Sequence, residues 1–259
     1  MEKNHDAIAH KLGRTSKGTE ESTATIIMCG PTNYKRILAV YGTEMGSTKT
    51  EAKKMIESWE SKEKLCVTFL EGNKAADGFD DITTENYDVL VIFTSSYGDG
   101  DAPSGFGRFL YKLYAAEEAG TNTLSGLEHS VLGFGSTAYY TFQNVPRLCD
   151  RLLGESGSRR FLMRAEVDEM DDLQDNNAKI QAWSDAVLKH CKETTDKKKE
   201  PVCAWTSPKD EVYEKKLGPD GYELGSGPSE STGGIAIVSV GVAIVAYCAY
   251  TRFYRSEEL

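Results

Sequence analysis

The chain has 259 residues, with 30 basic against 40 acidic side chains and a net charge of -10. Arg36 to Cys191 alone holds 16 Lys and Arg against 25 Asp and Glu, so the acidity sits in the presumptive globular part and argues against a nucleic-acid partner. A basic protein partner would complement such a surface, although solvation alone also accounts for it.

Residues 1–34 are polar and show no sustained period, which reads as a disordered or loosely attached tail with no secretory signal. From Arg36 the texture changes. Ile37 to Tyr41 is a short apolar run and reads as a buried strand; Gly42 to Thr48 follow as a Gly and hydroxyl loop, and Ala52, Met55, Ile56 and Trp59 then recur at helical spacing. A second apolar run spans Leu65 to Leu70. After it come an irregular acidic segment, Asp77 to Glu85, and a third strand, Tyr87 to Phe93.

Thr94 to Ser104 is a loop of small and polar residues around one aromatic, leading into a helical face of Phe106, Phe109, Leu110, Leu113 and Tyr114. Ser130 to Phe134 reads as a fourth strand, Val145 to Leu153 as a third helix, Phe161 to Val167 as a fifth strand and Ile180 to Cys191 as a closing helix. Strands alternating with helices imply an α/β domain over 35–192, a doubly wound five-stranded parallel sheet of order 2-1-3-4-5.

Residues 193–232 hold Lys197 to Lys199, four of the seven prolines and Gly225-Ser226-Gly227-Pro228, all linker-like. Residues 233–254 contain the uncharged run Ile235 to Tyr250 and reach about 20 residues, the length of a transmembrane helix, with aromatics gathered at one end; 255–259 form a short tail. The missing N-terminal signal predicts a single-pass protein with the domain in the cytosol, while Arg252 and Arg255 beyond the helix point the other way by the positive-inside rule. Mitochondrial outer membrane, peroxisome and endoplasmic reticulum all stay open. The six cysteines are scattered without close pairs, so no metal-ligand spacing or disulfide framework can be read from them, as fits a reducing compartment.

In such a sheet, ligands sit beyond the carboxyl ends of the strands. Thr43 to Thr48 place hydroxyls and a glycine at a helix start, which suits a phosphate held by hydrogen bonds, although Ser and Thr there also serve as ordinary caps. Tyr97 and Tyr139 lie among small residues at the ends of strands three and four, where two aromatics can flank a flat ring. Either tyrosine alone reads better as a half-buried core residue; three such loops in order carry more weight.

Three stretches, Tyr41-Gly-Thr-Glu-Met-Gly-Ser-Thr, Ser96-Tyr-Gly-Asp-Gly-Asp-Ala-Pro-Ser and Gly133-Phe-Gly-Ser-Thr-Ala-Tyr-Tyr-Thr-Phe, resemble the flavodoxin-like FMN domain of diflavin reductases such as cytochrome P450 reductase and sulfite reductase. The resemblance implies that Thr43, Glu44, Gly46, Ser47 and Thr48 hold the FMN phosphate and that Tyr97 and Tyr139 sandwich the isoalloxazine. It implies further that the Gly98 carbonyl turns to accept a hydrogen bond from reduced N5. Gly135, Ser136 and Phe142 would line the ring and ribityl chain, Asp168 would sit near the flavin edge, and Met45, Ser95, Ser96, Asp99, Gly100, Gly133 and Phe134 would complete the loops. The sequence departs from the family pattern at Met45, where Thr is usual, and at Ser136-Thr137 in place of Asn-Lys; it ends where a diflavin reductase would continue.

The expectation is a membrane-tethered FMN electron carrier, fed by a separate FAD-containing NAD(P)H reductase and passing electrons to a haem or other membrane-associated redox protein. No side chain is expected to do acid-base work on a substrate. Two other readings stand beside it: a stand-alone NAD(P)H:quinone reductase on the same scaffold, and a tethered scaffold that has lost FMN.

Overall fold

Ile37–Tyr41, five residues buried along their whole length, form β1 at the centre of the sheet. The computed structural model describes residues 34–63, 65–192 and 212–224. The N-terminal tail up to residue 33, most of the linker, the membrane helix expected over 233–254 and the tail at 255–259 lie outside the described residues. Among the described residues no helix is long and apolar enough to cross a membrane.

In chain order the elements are β1, α1 (Ser47–Glu63), β2 (Val67–Glu71), α2 (Gly72–Asp77), a 3-10 turn at Phe79–Asp81, β3 (Val89–Ser95), α3 (Gly107–Glu118), β4 (Glu128–Gly135), α4 (Asn144–Glu155), β5 (Arg159–Arg160), β6 (Ala165–Asp168) and α5 (Leu173–Lys192). Every strand pairing in the sheet is parallel, in the order β2-β1-β3-β4-β5, with β6 also on β4. This is the flavodoxin-like arrangement expected from the sequence. The 3-10 turn lies within the acidic stretch Asp77 to Glu85 read as irregular, and α2 precedes it where no helix was expected; six residues are too short for apolar periodicity to show.

The strands are apolar on both faces because both are covered. On one side Leu38, Val40, Leu90, Ile92 and Val131 pack with α2, α3 and α4 through Phe106, Phe109, Leu113, Leu148 and Leu152. On the other, Ile37, Ala39, Val91, Phe93 and Leu132 meet α1 and α5 through Ile56, Trp59, Trp183 and Val187. The two buried indoles are satisfied, Trp59 Nε1 donating to Ser184 Oγ at 2.8 Å and Trp183 Nε1 to Ser130 Oγ at 3.0 Å.

The fifth strand, expected to be continuous over Phe161 to Val167, is instead split. β5 pairs with Glu128 and His129 at the start of β4, the chain leaves the ladder, and β6 rejoins at Leu132 to Gly135. The break lets two guanidinium groups turn onto one buried carboxylate. Arg160 reaches Asp150 of α4 at 2.9 and 2.5 Å, and Arg164 reaches the same group at 2.8 Å. Two further expectations are corrected. Residues 212–224, read as part of a flexible linker, are folded against α3 and α4, with Val212 and Leu217 packed on the core. Cys149 and Cys191 are free and buried, but Cys66 is disulfide-bonded, which scattered cysteines had given no reason to expect.

Burial works to raise the Asp150 pKa, but His129, Arg160 and Arg164 outweigh it and hold the carboxyl below its ordinary range. A carboxylate depressed in the folded state stabilises above its unfolded pKa, about 3.9, and that stability is lost as pH falls through the folded value. Asp150→Ala removes the shared carboxylate and is expected to cost about 3–5 kcal/mol in urea unfolding at pH 7. The gap between wild type and variant should narrow toward pH 3.

Candidate functional site

The register of the central strands places three loops side by side. Tyr41 of β1 pairs with Phe93 of β3, and Ser95 at the end of β3 pairs with Phe134 of β4, so the segments after Tyr41, Ser95 and Gly135 leave the same edge of the sheet. That edge is where a doubly wound sheet binds ligands.

The first loop is shaped around Gly46. Its φ of +89° is one that side chains rarely adopt, and no atom lies within 4 Å of where a Cβ would stand. The Gly46 N–H donates to Thr43 Oγ1 at 2.9 Å, and the Thr50 N–H donates to the Gly46 carbonyl at 3.0 Å. The amides ahead of Thr50, at Ser47, Thr48 and Lys49, are therefore the unpaired donors of a helix start. Thr48 is buried while Ser47 is exposed, and Met45 is 80% exposed. Glu44 does not point its charge into this cradle: its Oε2 accepts from the Ser104 N–H at 2.8 Å, tying the first loop to the second. The carboxylate is thus held away from the cradle, where it would repel a phosphate.

The second loop is a tight turn. The Tyr97 N–H donates to Asp101 O at 2.9 Å, while the Asp101 and Gly100 N–H groups both donate to Tyr97 O, at 2.7 and 3.1 Å. Gly98 at φ +50° and Gly100 at φ +87° supply the left-handed positions it requires. The Tyr97 ring stands out of the surface, 54% exposed. The Gly98 carbonyl is not free: Thr141 Oγ1 donates to it at 3.3 Å. Ser96 Oγ accepts from the Val145 N–H at 3.0 Å and so caps α4 from a neighbouring loop, while Asp99 accepts from Tyr140 Oη at 3.2 Å. Ser95 is half-buried at the strand end.

The third loop follows Gly133, Phe134 and Gly135. A Cβ on Gly133 would collide with Gln143 and Pro146, so Gly133 serves packing. A Cβ on Gly135 would press against the Phe142 ring at 3.1 Å, and Phe142 in turn lies under the Arg147 guanidinium. Ser136 is buried with its Oγ accepting from the Ala138 N–H at 3.3 Å. Tyr139 is 59% exposed. Asp168, at the end of β6, is joined to this loop: its Oδ1 accepts from the Thr137 and Met170 N–H groups, both at 3.0 Å. Burial pushes its pKa up, but those amides outweigh burial and hold it below the usual carboxylate range.

Four residues that the sequence did not single out hold these loops together. Thr141 and Tyr140 cross from the third loop to the second, Gln143 adopts φ 60° and donates through Nε2 to Val167 O at 3.1 Å, and Asn144 bonds Gly100 O at 2.8 Å. The left-handed Gln143, a strained conformation for a residue with a side chain, had no signal in the sequence. The cradle fits FMN: unpaired amides and hydroxyls at a helix start for a phosphate, open space over Gly46, and two exposed phenol rings on neighbouring loops for a flat heterocycle.

The chain matches the flavodoxin family over residues 40–183 and belongs to it, so the cofactor of this domain is FMN and electron transfer is the role such a domain implies. It is similar to NADPH--cytochrome P450 reductase of Candida tropicalis, 29% identical over 218 residues that cover 77% of this chain and 31% of that protein. It is likewise similar to NADPH oxidoreductase A of Dictyostelium discoideum, 35% identical over 143 residues covering 54% of this chain and 21% of that one. The chain thus spans less than a third of these relatives. Among solved structures, oxidised flavodoxin 1 from Bacillus cereus is 18% identical with a TM-score of 0.48, covering 60% of this chain and 98% of that one.

Each exposed tyrosine that stacks on the flavin should contribute about 0.5–1.5 kcal/mol beyond its buried area. Tyr97→Ala and Tyr139→Ala are each expected to weaken FMN binding about tenfold, measured by fluorescence titration, with thermal unfolding of the flavin-free protein nearly unchanged.

Proposed function

We propose that this chain is a membrane-tethered FMN electron carrier that takes electrons from a FAD-containing NAD(P)H reductase and passes them to a haem or other membrane-associated redox protein. The observation that carries the reading is the pair of exposed rings, Tyr97 and Tyr139, on loops braced to one another beside a phosphate cradle. FMN supplies the redox chemistry, accepting and donating electrons singly or in pairs.

The chain's own residues bind and orient. Thr43 shapes the cradle through Gly46, the amides and hydroxyls of Ser47 and Thr48 face the phosphate, and the Tyr97 and Tyr139 rings flank the heterocycle. Because both rings are open to solvent, donor and acceptor meet the cofactor by docking at the surface. Asp99, Glu169, Asp171, Asp172 and Asp175 are exposed around this end of the sheet and would steer a basic partner toward it. The uncharged run Ile235 to Tyr250 supports the tether, with the FMN domain in the cytosol.

Purified full chain is expected to be yellow with FMN at one per chain, and to extract from membranes with detergent but not with alkaline carbonate. Mixed with NADPH alone its flavin should stay oxidised, and bleach once a diflavin-type FAD module is added. A colourless protein that refuses added FMN would end the carrier reading, and rapid bleaching by NADPH alone would make it a stand-alone reductase.

A further inference from the structure

The described segment 212–224 returns to the domain beside the second loop. Asn144, at the start of α4 and 1% exposed, uses its amide on both sides of this junction. Its Oδ1 accepts from the Tyr213 N–H at 2.7 Å, while Nδ2 donates to Tyr213 O at 3.1 Å and to Gly100 O at 2.8 Å. One buried side chain thus joins the returning segment to the turn that carries Tyr97 and Gly98. The fit around Gly100 is close: a Cβ there would stand 2.9 Å from Asn144 Nδ2.

The same segment holds the turn at a second point. Lys215 Nζ lies 2.5 Å from Asp101 Oδ1 and 3.7 Å from Glu223. Burial works against the Lys215 ammonium, but the hydrogen bond and charge of Asp101, with Glu223, outweigh it and raise the pKa. The Tyr213 ring meets Tyr140 edge-on at 5.7 Å, and Tyr140 itself bonds Asp99 of the turn. Three further contacts anchor the segment independently. Glu214 pairs with Arg151 at 2.5 Å, Leu217 packs on the α3–α4 core, and Gly221 approaches the backbone of Gly107 too closely for any side chain on either.

We propose that residues 212–224 are a positioning element of the flavin site, and that Asn144 and Lys215 are the positioning residues through which it fixes the 97–101 turn. The physical argument is one of entropy and geometry. A five-residue turn with two left-handed glycines is cheap to deform, and its half at Tyr97 to Asp99 is exposed. Fastening Gly100 and Asp101 to a segment that is itself anchored at Glu214, Leu217 and Gly221 leaves Gly98 few conformations, with its carbonyl held by Thr141 on the other side. The orientation of the Gly98 peptide, next to the ring site, is then set from outside the α/β domain that ends at α5. The part that concerns the flavin rests on the carrier reading above; the fastening of the turn does not.

The experiment separates the two. Hydrogen exchange is followed by NMR on flavin-free full chain, as wild type, Asn144→Ala, Lys215→Ala and Lys215→Arg, at the Gly100 and Asp101 amides, which donate to Tyr97 O. Asn144→Ala is expected to speed exchange there about tenfold or more, the equivalent of about 1.4 kcal/mol, as a buried hydrogen-bond pair is lost, with the Ile92 and Phe93 amides of β3 unchanged. Lys215→Ala should give a smaller, local increase that Lys215→Arg reverses. In FMN-loaded protein, Lys215→Ala should shift the midpoint potential to more negative values as a nearby positive charge is lost, and Lys215→Arg should restore it. Unchanged exchange at Gly100 and Asp101 in folded variants, or an increase spread equally through β3 and β4, would overturn the proposal. Should Asn144→Ala fail to fold, the lysine pair decides, and no difference between Lys215→Ala and wild type counts against it. A chain that takes up no flavin but shows the local exchange pattern would keep the brace and end the carrier reading.

Discussion

The site depends on the hydrogen-bonded register of three neighbouring parallel strands. β1, β3 and β4 are adjacent in the sheet although far apart in sequence, and their pairing brings the ends at Tyr41, Ser95 and Gly135 to one edge. A slip of one residue in either ladder would turn every side chain of that strand to the opposite face, and would shift one loop against the others by about 3.3 Å. Burial on both faces, by residues such as Leu38, Ile92 and Val131 on one side and Ile37, Phe93 and Leu132 on the other, is what fixes that register. Core packing and cofactor geometry are thus one constraint seen at two levels.

Above the sheet, the loops hold one another. Glu44 bonds the Ser104 amide, Ser96 caps the helix that follows the third loop, Thr141 donates to the Gly98 carbonyl, and Asp168 gathers the Thr137 and Met170 amides. Each such bond contributes only about 0.5–1.5 kcal/mol net, so their value lies in ordering. Loops that would each move freely are tied into a frame, and a cofactor entering it loses little further freedom to the protein. In this frame two large tyrosines remain exposed, their positions held through their backbones.

The three loops were legible because β1, β3 and β4 are short apolar runs that lead into Gly, Ser or Thr, a local signal of composition. The placement of Tyr97, Tyr139 and Gly46 in loops at one edge of the sheet was legible for the same reason. Other features were hidden because they arise from contacts between distant residues. The split at Phe161 to Arg164 goes with the turn of Arg160 and Arg164 onto Asp150, a carboxylate on the preceding helix that nothing in the sequence marks as buried. Glu44 reads as part of a phosphate loop and is in fact a strut between loops. Residues 212–224 have a linker's composition, and their ordering rests on contacts with distant residues: Asn144, Arg151 and the α3–α4 core. Short apolar points in a polar stretch, Val212 and Leu217, were the only trace they left.

The central claim is that three loops form one FMN cradle. It is tested most directly by an NMR titration of flavin-free protein with FMN, following the amides of Gly46, Gly98 and Gly135, one in each loop. The account predicts that all three move together and saturate at one FMN per chain, while amides at the opposite end of the sheet, such as His129, stay in place. Saturating shifts in one loop alone, or none at any of the three in a folded protein, would contradict it.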